Sequence, residues 1–218
     1  MKTYKLHFIR HGMTSGNLEG KYIGHLDIPV CEEGIAQLES MTQDYTYPHA
    51  DVVLSSPLRR CLETAQIIYP GCKPAVIDDL IEYDFGDFEG RTADEMKDNK
   101  VFVKWISGGA DAAPPFGESN NDFGQRITGA VSKIIDGMMK TDIREAAVVT
   151  HGGVIMGVLS SMGLPQHSMP EWMVPNGCGF TVLVTPTLWT HAHKFEVFDE
   201  IPLADTDSGP DGETDEEQ

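Results

Sequence analysis

The chain has 218 residues, 40% of them hydrophobic and 23% charged, a composition that places it among globular proteins rather than disordered or fibrous ones. With 34 acidic against 16 basic residues the formal charge is −18, which disfavours nucleic acid and anionic membrane surfaces as partners. A chain this long buries roughly 70% of its unfolded surface, so a core holds it together without disulfides or a structural metal.

The charge is uneven. Nine acids and no Lys or Arg fall in residues 199–218, so residues 1–198 carry only −9. Almost nothing apolar follows Leu203, and such a segment cannot offset its own ordering entropy. The expectation is one domain, residues 1–198, followed by an acidic, disordered tail, 199–218. Cys31, Cys61, Cys72 and Cys178 form no Cys-x-x-Cys pair and read as reduced thiols of a cytoplasmic protein. The start, Met-Lys-Thr-Tyr-Lys, has no signal-peptide or membrane-span pattern.

In chain order, a strand is predicted over Tyr4–Ile9, a helix over Glu33–Thr42 and a strand over Val52–Leu54. Leu58, Cys61, Leu62, Ala65 and Ile68 then recur at helical spacing, ahead of a short strand, Ala75–Ile77. A loop over Gly108–Gly117 precedes a second amphipathic helix through Phe123, Ile127, Val131, Ile134 and Met138, with Ser119 as its N-cap. Strand Ala146–Thr150, helix Val154–Ser161 and strand Phe180–Val184 complete the series. This alternation predicts an α/β fold with a mostly parallel central sheet flanked by helices.

Two of these strands share one design. Lys5-Leu6-His7-Phe8-Ile9 runs into Arg10-His11-Gly12, and Ala146-Ala147-Val148-Val149-Thr150 runs into His151-Gly152-Gly153. In an α/β sheet the ligand crevice lies at the strands' carboxyl ends, where the next helix offers unpaired N–H groups, so both histidines are aimed at an anion site. Gly12 and Gly152 let the backbone approach a ligand closely. A third strand end leads into Ser56-Pro57-Leu58-Arg59-Arg60, and arginine's planar fork suits phosphate oxygens. Arg59 and Arg60 lie about 100° apart on a helix, so one of the two faces the crevice. The acidic turn Leu80–Gly90 offers Glu82, Asp84 and Glu89 as a general acid, with no spacing that singles one out and none that matches a known metal loop. His191 and His193 would share a face if extended, as would any pair on a strand's polar side.

These motifs together resemble the histidine phosphatase superfamily, with its phosphoglycerate-mutase-like fold, in the phosphatase-rich branch that includes alpha-ribazole phosphatases. Arg10-His11-Gly12 matches its hallmark, followed by Asn17 and by Gly24-His25-Leu26-Asp27-Ile28-Pro29; Ser55–Ala65, Leu80–Gly90, Gly117-Glu118-Ser119 and His151 follow in family order. The resemblance selects Arg60 over Arg59 and Glu82 over Asp84 and Glu89. It implies that His11 is the nucleophile, that Arg10, Arg60 and His151 stabilise the transferring phosphoryl group, and that Glu82 is the acid and base. Substrate contacts would come from Arg10, Asn17, Gly24, Arg60, His151 and Gly152, with no metal and no cofactor.

The implied activity is hydrolysis of a small phosphorylated metabolite through a phosphohistidine. The alternatives are a phosphoglycerate-type mutase and a non-catalytic phospho-ligand binder on the same fold. Gly90 to Glu118 spans only 28 positions, too short for the mutase branch's insertion. Phe102, Trp105, Phe116, Met169, Trp172 and Met173 are candidates for an apolar mouth or for the core. Lys21 stands where the family often has Arg.

Overall fold

The computed structural model describes residues 2–204. Its strands are β1 (Tyr4–Arg10), β2 (Tyr45–Thr46), β3 (Val52–Ser55), β4 (Ala75–Val76), β5 (Glu145–Thr150), β6 (Gly163–Leu164), β7 (Gly179–Val184), β8 (Phe195–Ile201) and β9 (Leu203–Ala204). The helices are α1 (Ser15–Leu18), α2 (Glu32–Asp44), α3 (Arg59–Ile68), α4 (Ala93–Met96), α5 (Lys100–Ile106), α6 (Asn120–Thr141), α7 (Gly152–Met162) and α8 (Pro186–Ala192).

Seven strands form one sheet in the order β4-β3-β5-β1-β7-β8-β6. The pairs from β4 through β1 are parallel, and β7 runs antiparallel to both β1 and β8. The mostly parallel sheet read from the alternating elements is therefore present, with β7 reversed inside it.

The central strands are covered on both sides, which is why β1 and β5 read as near-continuous apolar runs. Leu6, Phe8, Ala146 and Val148 point to one face and join a cluster with Ile127, Val131 and Ile134 of α6 and Val154, Ile155 and Val158 of α7. Ile9, Ala147 and Val149 point to the other and meet Leu38 of α2 with Cys61, Ala65 and Ile68 of α3. The period-2 alternation of the strands and the helical spacing on α3 and α6 thus close two layers over one sheet. Among the described residues no helix is long and apolar enough to cross a membrane.

The register of the parallel strands sets the site. Arg10 pairs with Thr150 and Ser55 with Val149, so the next residues, His11, His151 and Ser56, leave the sheet side by side.

Two expectations are corrected. The domain does not stop at 198: β8 continues to Ile201, which is buried in the second layer, and β9 pairs with β2. Burial of its two ends, Phe195 in the first layer and Ile201 in the second, outweighs the acidic residues between them, which face solvent. The rest of the expected acidic tail, 205–218, lies outside the described residues. His191 and His193 share no strand face, because Pro186 starts a helix there; His191 Nδ1 donates to the Thr187 carbonyl, and His193 closes the helix in a left-handed conformation. The passage between Gly90 and Glu118 holds α4 and α5 ahead of the loop expected over Gly108–Gly117.

Candidate active site

His11 sits just past β1, almost fully buried. Its Nδ1 donates to the carbonyl of Gly12 at 2.7 Å, and a carbonyl can only accept, so the proton of the neutral ring is on Nδ1 and the Nε2 lone pair is free. Gly12 is itself pinned by its N–H, which donates to Thr64 Oγ1 at 2.8 Å, while the Thr64 hydroxyl donates to the Arg60 carbonyl. Burial, reinforced by the Arg60 guanidinium, lowers the His11 pKa to about 3. The imidazole is neutral at any ordinary pH.

Arg10 donates through Nη1 to the Val174 carbonyl at 2.7 Å, and its buried Nε has no partner among the described residues. An orphaned cationic N–H beside His11 suits an anionic oxygen. Asn17 is aimed by its own oxygen, which accepts from the Thr14 main chain and hydroxyl, each at 3.0 Å, and from Asn176 Nδ2 at 3.3 Å. Its amide nitrogen is left for the cleft. Asn176 also donates to the His11 carbonyl at 2.9 Å.

Arg60 is fully buried on α3 and reaches three ways: Nη1 to the Leu26 carbonyl, Nη2 to that of Gly24, and Nε to His151 Nδ1 at 3.3 Å. Arg59 points outward to Glu63. Because His151 Nδ1 accepts, its Nε2 carries the proton and donates to Ser56 Oγ at 2.7 Å. Burial and the neighbouring Arg60 hold the His151 pKa well below its usual range. The two histidine rings meet edge to face, centroids 5.2 Å apart.

Glu82 enters from the turn after Asp78–Leu80. Its oxygens accept from the main-chain N–H of Tyr83 and of Gly153, both at 2.9 Å, the second at the N-terminus of α7. Burial pushes its pKa up, against these two N–H groups and the charges of Arg60 and Arg10. Arg126 on α6 holds this turn from behind, donating to the carbonyls of Asp79, Ile81 and Glu82 while paired with Glu118. Glu118 in turn accepts from the Asp84 N–H.

The remaining carboxylates of the turn are occupied structurally. Glu89 accepts from the main chain of Gly24, His25, Leu26 and Phe85, and Asp84 from that of Gly86. Among the described residues no three His, Cys, Asp or Glu side chains are grouped to hold a metal ion.

A cleft of about 210 Å³ brings together Arg10, His11, Asn17, Glu82 and Gly152, with Lys21 at its edge in an ion pair with Glu19. Arg60, His151 and Gly24 do not line it. Gly24 is a structural neighbour: its carbonyl holds Arg60, and a Cβ there would lie 1.9 Å from the Tyr83 carbonyl. Of the suggested apolar mouth, Met173 lines the cleft, Trp105 and Met169 line an adjoining cavity, Phe102 and Trp172 are core, and Phe116 is 91% exposed. Ser56, Thr64, Asn176 and Arg126 were not anticipated as part of the site. Ser56 and Thr64 stood inside a quoted motif, but nothing local marks Asn176 or Arg126, which reach the site from distant segments.

Residues 6–194 match the family model described as the histidine phosphatase superfamily, branch 1. The chain belongs to the histidine phosphatase superfamily. Within that superfamily it is 30% identical over 182 residues to the adenosylcobalamin/alpha-ribazole phosphatase of Escherichia coli K12, covering 80% of this chain and 87% of that protein. It is 36% identical over 157 residues to phosphoglycerate mutase-like protein 4 of Arabidopsis thaliana, covering 67% and 66%. The solved alpha-ribazole phosphatase of Shigella flexneri superposes with a TM-score of 0.72 at 27% identity, over 84% of this chain and 91% of that one. The family match and the relatives named as phosphatases make the protein an enzyme of the histidine phosphatase superfamily.

Proposed function

We propose that the protein is a metal-independent phosphomonoesterase that hydrolyses a small phosphorylated metabolite through a phosphohistidine at His11. The observation that carries this reading is the neutral His11 ring, with Nδ1 tied to the Gly12 carbonyl and Nε2 left for a cleft that Arg10 and Glu82 also line.

In the first step the Nε2 lone pair attacks phosphorus in line, the N–P bond forms, and the P–O bond to the alcohol breaks. Glu82, whose pKa burial pushes up, gives its proton to the departing oxygen when in its acid form. Arg10 and the Asn17 amide hold the equatorial oxygens. Arg60 and His151 act through the shape and charge of the site: Arg60 fixes the loop at Gly24 and Leu26 and keeps both histidines neutral. In the second step the Glu82 carboxylate takes a proton from water as the oxygen attacks phosphorus. The N–P bond then breaks, returning the pair to Nε2 and releasing phosphate.

Hydrolysis is favoured over mutase chemistry by the short passage from Gly90 to Glu118. It holds α4 and α5 and leaves little chain to build the cover that keeps water from a phosphoenzyme. The named activities of the bacterial relatives make alpha-ribazole phosphate a first compound to try. Four free cysteines suit a reducing, cytoplasmic setting.

The test is hydrolysis of p-nitrophenyl phosphate in EDTA by wild type and His11→Ala, with rapid quenching to trap phosphoprotein. Activity in EDTA, an acid-labile phosphoprotein and an inactive variant are expected. Metal dependence or an active His11→Ala overturns the proposal, and 3-phosphoglycerate isomerisation outpacing phosphate release assigns a mutase instead.

A further inference from the structure

A second cavity, of about 470 Å³, opens between α6 and α7 on the Glu82 side of the cleft. Glu82, Phe85, Gly153 and Met156 line both spaces, so the carboxyl that faces the leaving oxygen forms part of the partition between them. The chemistry on the two sides differs. The cleft has Arg10 and Lys21, whereas among the described residues Glu82 is the sole carboxylate or cation lining the second cavity, whose walls include Phe123, Ile127, Gly157 and Met169.

At about 210 Å³ the cleft accommodates a phosphoryl group and a few further atoms, so the body of a larger ester lies beyond it. An ester oxygen within reach of the Glu82 carboxyl lies beside the space that the same carboxyl lines. We infer that the α6–α7 cavity is the leaving-group subsite, and that the preferred substrates are phosphate monoesters of large uncharged alcohols with an aromatic or branched apolar body. This rests on the reading of Glu82 as the acid that protonates the leaving oxygen.

The selectivity follows from desolvation. Each methylene moved from water into such walls strengthens binding about fourfold. A leaving group that carries its own carboxylate would lose hydration there without meeting a cation. Small anionic esters are therefore disfavoured by the same surface that attracts apolar ones.

The experiment compares kcat/KM for 4-phenylbutyl phosphate and ethyl phosphate with the full chain. Both release unactivated primary alcohols, so their ratio reports the fit of the alcohol rather than the need for a proton. Wild type is expected to prefer the phenylbutyl ester at least about tenfold, the factor that one well-buried methylene can reach in an apolar pocket. Gly124 lines the cavity from α6, and a Cβ there meets no atom within 4 Å, so Gly124→Phe fills the space without a main-chain clash and should bring the ratio near one. Gly137→Phe, equally open on the same helix but outside the cavity, should keep the wild-type ratio.

A wild-type ratio near one, a preference retained by Gly124→Phe, or cleavage of p-nitrophenyl phosphate with neither alkyl ester turned over, overturns the subsite. Failure of the acid reading looks different. Glu82→Gln would then lower alkyl and p-nitrophenyl esters equally, while the preference for the larger alcohol persisted.

Discussion

Replacing Glu82 by Gln removes the transferable proton while keeping the shape of the side chain. In the native site each carboxyl oxygen accepts one main-chain N–H at 2.9 Å, from Tyr83 and from Gly153. A glutamine oxygen keeps one of these bonds, and its amide faces the other N–H, a loss of about 1 kcal/mol that a domain stable by about 5–15 kcal/mol tolerates. The catalytic loss is larger and selective. A positioned general acid contributes about 100- to 10,000-fold, or about 3–5 kcal/mol of barrier, when the leaving group must depart as an alcohol. p-Nitrophenolate leaves as a stable anion and needs little of this help. The assay is kcat/KM for an alkyl ester and for p-nitrophenyl phosphate across pH. Because burial raises the Glu82 pKa, the acid form is lost as pH rises through that value. The wild-type ratio of alkyl to aryl turnover should therefore fall with pH, toward about tenfold per pH unit. The second ionisation of the phosphate lies near pH ~6 for an alkyl ester and lower for the p-nitrophenyl ester, so the slope is read above that range, where both are dianions. In Glu82→Gln the ratio should be low and flat. Equal losses on both esters, or an unchanged pH profile, would refute the assignment.

Three further outcomes are expected. Arg126→Met strands the half-buried Glu118 carboxylate and releases three carbonyls of the Glu82 turn, so denaturant unfolding should show a loss of about 3–5 kcal/mol, mostly recovered when Glu118→Gln is added; independent, additive losses would contradict the latch. Gly24→Ala places its Cβ against the Tyr83 carbonyl and must move the loop that Arg60 grips, so it should lower both Tm and kcat, whereas wild-type values for both would show that the loop yields freely. His7 is buried between β1 and β7 with its pKa lowered to about 4, burial outweighing the attraction of Glu145. Its contribution to stability is full above its unfolded pKa near ~6.5 and is lost as pH falls toward 4, amounting to about 3 kcal/mol. His7→Leu should flatten that part of the acid-side decline in unfolding free energy, and an unchanged pH dependence would exclude His7 as its source.

Much of the layered architecture was legible in residue order. The short apolar runs within Lys5–Ile9 and Ala146–Thr150, and helical spacing in Leu58–Ile68 and Phe123–Met138, are local patterns that the observed elements reproduce within a few residues. The two strand-to-His-Gly junctions also pointed to the crevice, because a strand's carboxyl end and the following helix start are set by neighbouring residues. β8 was missed because its middle, Val197 to Glu200, alternates poorly and is rich in acids. α4 and α5 were missed because each is too short for its periodicity to stand out.

The choice among Glu82, Asp84 and Glu89 could not be made from the residues themselves, since all three are carboxylates within one turn. Tertiary structure separates them by what each oxygen meets: main-chain N–H groups of a surface loop for Glu89, the Gly86 turn for Asp84, and the α7 N-terminus beside Arg10 for Glu82. The same holds for the helpers. Asn176 is 165 residues from His11 in the chain, and the Arg126 fork reaches back 44 residues to the Glu82 carbonyl. Local pattern is a record of short-range sterics and amphipathic burial, so it determines the elements and the strand ends that carry chemistry. Which nitrogen of His11 is free and which carboxyl has its pKa raised by burial depend on hydrogen bonds and packing between distant segments, and these exist only once the sheet has closed.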